Sequence, residues 1–230
     1  MHAARLAKAL GKPAVSVIEM GVAGGNGLIE LERCAAIAAD IFGVEVAVAG
    51  FDSGAGMPAI TDRRDLPWAI EQGVLAMDVP ALQARLTTAE LVLGLVEETV
   101  PRWVAADHPP IGFVAFDLDI YTGTMAAFKL LDAGPERLLP RVACYFDDIF
   151  GYGWSDWAGE RAAITDFNDA HEHRKIGKFH GLRYELPGNE AVQAWPEQIY
   201  LAHVFDSPDY DVLEQTLPSV WEDTLRLRPQ

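Results

Sequence analysis

Short apolar runs alternate with amphipathic stretches along this chain, and that alternation predicts repeated β-α units. The runs that predict strands are 14–18, 45–50, 89–93, 111–116, 141–146, 182–187 and 198–205. Apolar residues at helical spacing predict helices at 27–42, 122–132 and 158–170. The order of these elements predicts an α/β fold with a doubly wound, mostly parallel sheet and helices on both faces. We expect residues 1–230 to form one such domain.

The acidic composition of the chain makes some classes of binding partner unfavourable. Half of the 230 residues are hydrophobic, so the chain can bury a core without help from a metal or a disulfide. Its formal net charge of -16 opposes binding to nucleic acids and anionic membranes, because both are negatively charged. Small polar substrates, a cationic cofactor and divalent metals remain compatible. The sequence has no apolar signal segment and no run long enough to span a membrane, so we predict a cytoplasmic location.

A glycine-rich turn follows the first predicted strand and precedes the first predicted helix. It contains Glu19, Gly21, Gly24 and Gly25, at a place where the backbone bends sharply and a ligand can approach closely. A dinucleotide-binding turn usually has a glycine where this chain has Ala23, and a carboxylate ahead of the turn suits an ammonium group better than a pyrophosphate. We therefore predict a ligand that carries an ammonium group. The alternative is a tight turn without a ligand.

The second predicted strand ends at an acidic residue. Asp52 and Ser53 follow it, and the loop from Asp52 to Pro67 is longer than an ordinary connection, which indicates a functional loop. An acid at this position lies beside the first turn of a doubly wound sheet and can accept hydrogen bonds from both hydroxyls of a ribose. Together with the glycine turn it predicts an adenosine-type cofactor at the carboxyl edge of the sheet. A solvated loop aspartate is the alternative.

Four aspartates follow the fourth and fifth predicted strands. Asp117 and Asp119 come after the fourth strand, and Asp147 and Asp148 come after the fifth. Neighbouring parallel strands end at the same edge, so these carboxylates should gather there and repel one another unless a cation lies between them. Oxygen ligands favour a hard divalent ion, with Mg²⁺ as the first candidate and Mn²⁺ or Ca²⁺ as alternatives. We assign all four to the metal and Asp117 also to the cofactor. The alternative gives Asp119 a helix-capping role.

Several segments between about residues 15 and 170 resemble, in order and spacing, the macrocin O-methyltransferase family of class I methyltransferases. They are EMGVAGG from residue 19, GFDSGAGMP from 50, GLVEETVP from 94, DLDIYTGTM from 117, DD at 147 and GERAAITDF from 159. The resemblance implies a Rossmann-like, seven-stranded methyltransferase sheet. It also implies S-adenosylmethionine held by Glu19, Gly21, Gly25 and Asp52, and a metal held by Asp119 or Asp117 together with Asp147 and Asp148.

The resemblance also implies a reaction. In that family the metal binds neighbouring hydroxyls of a sugar attached to an antibiotic scaffold, and one hydroxyl is methylated. A metal acidifies its hydroxyl ligand and aligns it with the methyl donor, so positioning and electrostatics supply most of the catalysis. Asp119, Asp147 and Asp148 are then the expected catalytic residues, in natural-product or glycan tailoring.

Two departures from the family concern its general base and its substrate cover. The family's histidine base follows the second strand, but the only histidine here between residues 52 and 110 is His108, which we expect at the opposite edge. His171, His173 and His180 are the remaining candidates, with solvated surface histidines as the alternative. About a dozen residues precede the first strand, fewer than in the family, so the substrate cover is missing or rebuilt.

The leading hypothesis is therefore an S-adenosylmethionine-dependent, divalent-metal-assisted O-methyltransferase that acts on a hydroxyl of a small, sugar-like molecule. The alternatives are a nicotinamide-dependent oxidoreductase and a non-catalytic descendant that binds a nucleoside or a metal. We interpret the segment from Glu197 to Tyr200 as structural. The acidic C-terminal tail and exposed tryptophans are the predicted surface of a homodimer.

Overall fold

Seven strands form one sheet in the computed structural model, which describes residues 1–151, 154–189 and 193–212. The strands are β1 Ala14–Met20, β2 Glu45–Asp52, β3 Glu90–Leu93, β4 Ile111–Phe116, β5 Leu138–Phe146, β6 Arg174–Lys178 and β7 Ile199–Val204. Their order across the sheet is β3-β2-β1-β4-β5-β7-β6. β7 is antiparallel to both of its neighbours, and all other pairs are parallel. The predicted mostly parallel sheet is confirmed.

Helices cover both faces of this sheet. They are α1 His2–Ala9, α2 Asn26–Phe42, α3 Val79–Gln83, α4 Val96–Ala105, α5 Tyr121–Ala127 and α6 Gly159–Ala170. Side chains alternate between the two faces of a strand, and β1 shows the result. Its Val15 and Val17 share a core with α1 and α2, whereas Ile18 and Met20 share a core with α4, α5 and α6. The central strands are therefore mostly apolar, because both of their faces are buried.

The carboxyl ends of β1, β2, β4 and β5 meet at one edge of the sheet, called here the upper edge. Met20 pairs with both Phe51 and Phe116, and Phe116 pairs in turn with Phe146. The turns that follow these four strands consequently lie side by side. The strand order reverses between β1 and β4, and crevices above such a point are common ligand sites in open α/β sheets.

One predicted strand is wrong. The run 182–187 contains a short 3-10 turn at Leu182–Glu185, and the sixth strand is instead Arg174–Lys178. The sequence of this strand is mostly charged, and only Arg174 and Ile176 are buried, so it lacks the apolar alternation that predicts a strand. This segment is part of the sheet because it pairs with β7, and that pairing cannot be predicted from the local sequence pattern.

The N-terminal helix α1 has no counterpart among the predicted elements. Its Ala3, Leu6 and Ala7 are buried, and the helix contacts β1, β4 and β5, so this segment contributes to the core. None of the helices in the described part of the chain combines the length and the apolar character that a membrane crossing requires. The predicted dimer surface on the acidic tail falls largely at 213–230, outside the described residues.

Candidate active site

A cavity of about 340 Å³ opens at the upper edge of the sheet. Five aspartates line it, namely Asp52, Asp117, Asp119, Asp147 and Asp148. Much of the remaining wall is apolar and includes Met57, Pro58, Leu75, Leu95, Val96 and Ile120. No lysine, arginine or histidine lines the cavity among the described residues, so its field is strongly negative. The volume is within the range of small-molecule sites.

The glycine turn forms one wall of this cavity. Gly21 has φ 86°, and a Cβ at this residue would overlap the backbone oxygen of Asp117. The turn therefore approaches the end of β4 so closely that only glycine fits there. Gly21 and Ala23 line the cavity, whereas Gly24 and Gly25 lie in the same turn but do not line it.

Asp52 holds the glycine turn in place. Its Oδ2 accepts hydrogen bonds from the backbone N–H groups of Val22 (2.9 Å) and Ala23 (2.8 Å), and its Oδ1 accepts one from Gly54 (2.6 Å). Two N–H groups of the turn are thus already paired with a carboxylate, which makes the turn a poor site for a pyrophosphate. A carboxylate has about four acceptor positions, so Asp52 can still accept a ligand hydroxyl. Ser53 also lines the cavity, but its hydroxyl donates to a carbonyl within its own loop (2.9 Å).

Glu19 lies behind the turn and is not part of the cavity wall. The residue is 7% exposed, and its Oε2 has no hydrogen-bond partner among the described residues. A Cβ at Gly27 would overlap its Oε1, so the carboxyl packs under the first turn of α2. Burial, followed by the charges of Asp117 and Asp52, raises the pKa of Glu19 to about 8. The orphaned oxygen is the kind of acceptor that a cationic ligand near the turn would satisfy.

Three of the aspartates bring their oxygens together. Asp117, Asp147 and Asp148 each offer one carboxylate oxygen, and these three atoms lie within 4.8 Å of one another. Asp119 lines the same cavity but does not belong to this group. Its backbone has φ 59°, an unfavourable value for a residue with a side chain, and its N–H donates to Oδ2 of Asp148 (3.2 Å). Asp119 thus lies outside the group of three, but its side chain and its N–H both interact with Asp148.

Burial, together with neighbouring charges, raises the pKa values of Asp117, Asp119 and Asp148. Burial, with the charges of Asp147 and Asp119, raises the pKa of Asp117 to about 7. Burial, with the charges of Asp119, Asp117 and Asp147, raises the pKa of Asp148 to about 8. Burial and the charge of Asp147 also raise the pKa of Asp119. Asp117 and Asp148 therefore hold protons near neutral pH, and a divalent cation bound beside them would replace those protons.

Two residues that sequence reasoning missed fix the orientation of Asp147. The side-chain amide of Gln198 donates to the backbone oxygen (2.9 Å) and to Oδ1 (3.1 Å) of Asp147, and the hydroxyl of Tyr145 donates to the same Oδ1 (2.6 Å). Gln198 belongs to the segment that we interpreted as structural. It reaches Asp147 because β7 pairs with β5, and no local motif reports that pairing.

A third missed residue is Glu160, in the first turn of α6. It is fully buried, and its Oε2 accepts a hydrogen bond from the backbone N–H of Asp148 (3.1 Å). The backbone N–H of Leu118 also faces this carboxyl. Oε1 has no partner among the described residues. Burial, followed by the charge of Asp148, raises the pKa of Glu160 well above its ordinary value. The only sequence signal was its place in the GERAAITDF segment.

The three candidate histidine bases do not line the cavity. His171 and His173 lie just before β6, whose first residue pairs with Val204 at the edge of the sheet opposite the cavity. The Nε2 of His171 is 2.9 Å from a carboxylate oxygen of Asp132, so it has a partner there. His180 follows β6 on the side of the upper edge, but it is exposed beyond the outermost strands. The placement of His171 and His173 corrects their assignment as bases, because the sheet separates them from the cavity.

The long loop after β2 contributes Met57, Pro58 and Leu75 to the cavity wall. Asp65 anchors the loop, because its carboxylate accepts hydrogen bonds from the backbone N–H (2.7 Å) and hydroxyl (3.0 Å) of Thr122. These contacts hold the loop against the start of α5.

Comparisons with known proteins support this architecture. Neither the protein-family models nor the curated protein sequences gave a match. The chain is similar to a crystal structure of CalS11, described as a calicheamicin methyltransferase, with 24% identity, a TM-score of 0.59 and coverage of 88% of this chain and 76% of that one. The apo structure of CalS11, described as a TDP-rhamnose 3'-O-methyltransferase, has 22% identity, a TM-score of 0.50 and the same coverage.

The structure of the O-methyltransferase NovP is also similar, with 17% identity and a TM-score of 0.55 over 74% of this chain and 72% of that one. At these identities the likeness concerns the fold. The chain therefore shares its fold with these structures, in agreement with the predicted doubly wound, mostly parallel sheet of seven strands.

Proposed function

We propose that this protein is an S-adenosylmethionine-dependent O-methyltransferase that uses a divalent metal and acts on a hydroxyl of a small, sugar-like molecule. The observation that supports this proposal most directly is the meeting of three carboxylate oxygens, from Asp117, Asp147 and Asp148, in one cavity with the glycine turn. The fold shared with CalS11 and NovP, whose descriptions name them as methyltransferases, agrees with it.

The donor side of the proposed site comprises the glycine turn and the end of β2. Gly21 allows close approach, Asp52 and Ser53 lie at the wall beside it, and the unpartnered carboxyl of Glu19 lies behind it. We assign the ribose hydroxyls to Asp52 and the positive charge of the methionine part to Asp117, with the carboxyl of Glu19 acting from behind the turn. S-adenosylmethionine supplies an electrophilic methyl group when it is bound there. The apolar residues Leu95 and Val96 then offer a surface for the adenine ring.

The acceptor side comprises the four remaining aspartates. We assign the divalent metal, with Mg²⁺ as the first candidate, to Asp117, Asp147 and Asp148. A metal held there would lower the pKa of a substrate hydroxyl. Asp119 lines the cavity outside this group, so we assign it the role of the base that accepts the hydroxyl proton. This assignment replaces the histidine that the family resemblance leads one to expect.

The competing functions predict different ligands. A nicotinamide-dependent oxidoreductase needs free N–H groups for a pyrophosphate, and Asp52 already accepts those of Val22 and Ala23. A non-catalytic descendant would keep both binding sites and transfer no methyl group. The anionic cavity wall also favours neutral or cationic acceptors over phosphorylated ones. A single catalytic domain, a cytoplasmic location and a homodimer complete the proposal.

Titration calorimetry and methyl-transfer assays test this proposal together. We expect S-adenosylhomocysteine to bind and NAD not to bind, and Mn²⁺ to bind as a spectroscopic substitute for Mg²⁺. With labelled donor, we expect metal-dependent methyl transfer to members of a panel of neutral glycosides, amino sugars and catechols. Binding of NAD in place of S-adenosylhomocysteine would favour the oxidoreductase. Donor binding without transfer to any acceptor of the panel would favour the non-catalytic descendant.

A further inference from the structure

Glu160 connects the two strand ends that carry the acidic cluster. Its fully buried carboxyl accepts a hydrogen bond from the backbone N–H of Asp148, after β5 (3.1 Å), and faces the backbone N–H of Leu118, after β4. It does not line the cavity and therefore does not touch a ligand there. A side chain on α6 thus joins the turns after β4 and β5 from behind.

The backbone that Glu160 supports has an unfavourable conformation. Asp119, directly after Leu118, has φ 59°, and its N–H donates to Oδ2 of Asp148 (3.2 Å). Residues with side chains rarely adopt such a conformation unless surrounding contacts impose it. Gly159, next to Glu160, also packs against this backbone, because a Cβ on Gly159 would lie 3.0 Å from the backbone oxygen of Asp119. The first turn of α6 therefore packs directly against Leu118 and Asp119.

Fold stability alone does not account for a carboxyl group at this place. Burying a carboxyl with one oxygen unpartnered is unfavourable, and apolar residues of similar volume often serve a core equally well. The carboxyl serves here as an acceptor, because it accepts the backbone N–H of Asp148 and faces that of Leu118, which lie on two different turns. The contacts of Glu160 thus serve the geometry of the cluster.

We propose that Glu160 is a positioning residue that fixes Asp148 relative to Asp119, and through them the geometry of the proposed metal site. The inference rests on the proposed function for its metal, but the contacts themselves do not depend on that metal. Residues that orient metal ligands from behind typically change metal affinity about 10- to 100-fold when they are altered. What matters in this role is the reach of the side-chain oxygen to the two N–H groups.

Two conservative substitutions distinguish the effect of the length of the Glu160 side chain from the effect of its carboxyl group. Glu160→Gln keeps the length of the side chain and one acceptor oxygen but removes the carboxyl. Glu160→Asp keeps the carboxyl but retracts it by one methylene group, away from both N–H groups. The control is Phe167→Leu, which removes core volume from the same helix two turns further on. Affinities for Mn²⁺ and S-adenosylhomocysteine by calorimetry, together with Tm, are measured for all three variants and the wild type.

We expect Glu160→Asp to weaken Mn²⁺ binding about 10- to 100-fold and to change S-adenosylhomocysteine binding less than about threefold. Glu160→Gln should stay within about threefold of the wild type for both ligands. Phe167→Leu should lower Tm without changing either affinity. Equal Mn²⁺ affinity in Glu160→Asp and the wild type would overturn the proposal. So would a loss of Mn²⁺ affinity in Phe167→Leu that matches its loss of Tm, because general destabilisation would then explain both.

Amide hydrogen exchange keeps the test independent of the metal. If the wild type binds no Mn²⁺, the metal part of the proposed function fails, and exchange still reports the positioning role. We expect faster exchange in the peptides that cover 117–120 and 147–150 in Glu160→Asp, and near wild-type exchange in Glu160→Gln. Unchanged exchange of both peptides in Glu160→Asp would show that Glu160 does not hold these turns.

Discussion

The five aspartates of the cavity have different partners, and those partners decide what each residue can do. Asp52 accepts three hydrogen bonds from backbone N–H groups of the glycine turn and of its own loop, so its first effect is to shape the proposed donor site. Asp147 is held by Gln198 and Tyr145, and Asp148 accepts the N–H of Asp119. Their identical side chains give no sign of these differences in the sequence.

Removal of two of the carboxylates should separate the metal from the donor. The double change Asp147→Asn and Asp148→Asn replaces two of the three clustered carboxylates with neutral amides. We therefore expect Mn²⁺ binding to disappear. Affinity for S-adenosylhomocysteine should change less than about threefold, because Asp52 and the glycine turn are untouched. Calorimetry with each ligand measures both effects. Equal losses of the two affinities would contradict separate sites.

The change Asp52→Ala should weaken donor binding by about 1 to 3 kcal/mol, because a charge-assisted hydrogen bond to the ribose is lost. The N–H groups of Val22 and Ala23 also lose their acceptor, so we expect a lower Tm in the same variant. Titration of S-adenosylhomocysteine and thermal denaturation measure the two effects. An unchanged donor affinity would remove Asp52 from the ribose-binding role.

The buried carboxyl of Glu19 makes the stability of the protein depend on pH. Its pKa rises from 4.5 to about 8 in the folded chain, so the neutral form stabilises the fold fully below about pH 4.5, and this contribution is lost as pH rises through 8. Glu19→Gln is neutral throughout. Relative to this variant, the wild type should lose at most about 1.4 kcal/mol of unfolding free energy per pH unit between about pH 5 and 8.

Denaturant unfolding of both proteins at several pH values measures this difference. A gap between Glu19→Gln and the wild type that is equally large at about pH 5 and pH 8 would show that the Glu19 carboxyl does not titrate in this range.

Among the elements, the loop between β2 and α3 depends most on contacts made elsewhere in the chain. Its cavity-lining residues lie on a segment with little regular structure, and the loop is held by two attachments. Asp65 accepts two hydrogen bonds from Thr122, and Arg64 pairs with Asp166 (2.7 Å) while its guanidinium lies 3.6 Å from the ring centre of Tyr121. The wall of the cavity is therefore built only when α5 and α6 are in place.

The change Asp65→Ala should detach this loop. It leaves the N–H of Thr122 without its buried acceptor, so we expect a loss of about 1 to 3 kcal/mol in unfolding free energy. Chymotrypsin should also cleave faster near the exposed Trp68. Asp40→Ala, at an exposed position of α2, is the control and should change stability by less than about 0.5 kcal/mol. Unaltered proteolysis of Asp65→Ala would show that the loop does not depend on this anchor.

At the scale of the whole molecule, the carboxylates of the cavity repel one another in a chain that already has a net charge of -16. The pKa values of Asp117 and Asp148 are raised to about 7 and about 8, so their neutral forms stabilise the fold at low pH, and this contribution is lost as pH rises through those values. A divalent cation that replaces the protons should restore it. We expect Mg²⁺ to raise Tm more at about pH 8.5 than at about pH 5.5.

Thermal denaturation with and without millimolar Mg²⁺ at the two pH values measures this effect. The variant with Asp147→Asn and Asp148→Asn is the control, because its Tm should respond to Mg²⁺ no more than to an equal ionic strength of a monovalent salt. If Mg²⁺ raises the Tm of the wild type equally at both pH values, Mg²⁺ binding does not depend on the protonation of Asp117 and Asp148.

The sequence by itself determined the elements whose local pattern is strong. The first five strands, α2, α5 and α6 were predicted close to their observed positions. Strands that are buried on both faces are mostly apolar, and the apolar residues of a packed helix recur about every 3.6 residues. The glycine turn and the acidic strand ends were predictable for the same local reason. In a doubly wound sheet, the turns after the parallel strands gather at one edge.

Only the tertiary structure decided the features that depend on contacts between distant segments. β6 is a strand because β7 pairs with it, and Gln198 reaches Asp147 because β7 lies antiparallel beside β5. Glu160 reaches two strand ends from α6, and His171 lies at the opposite edge because of the direction of β6. Local periodicity reports burial, but it contains no information about which strands become neighbours, and that neighbourhood decides which side chains meet.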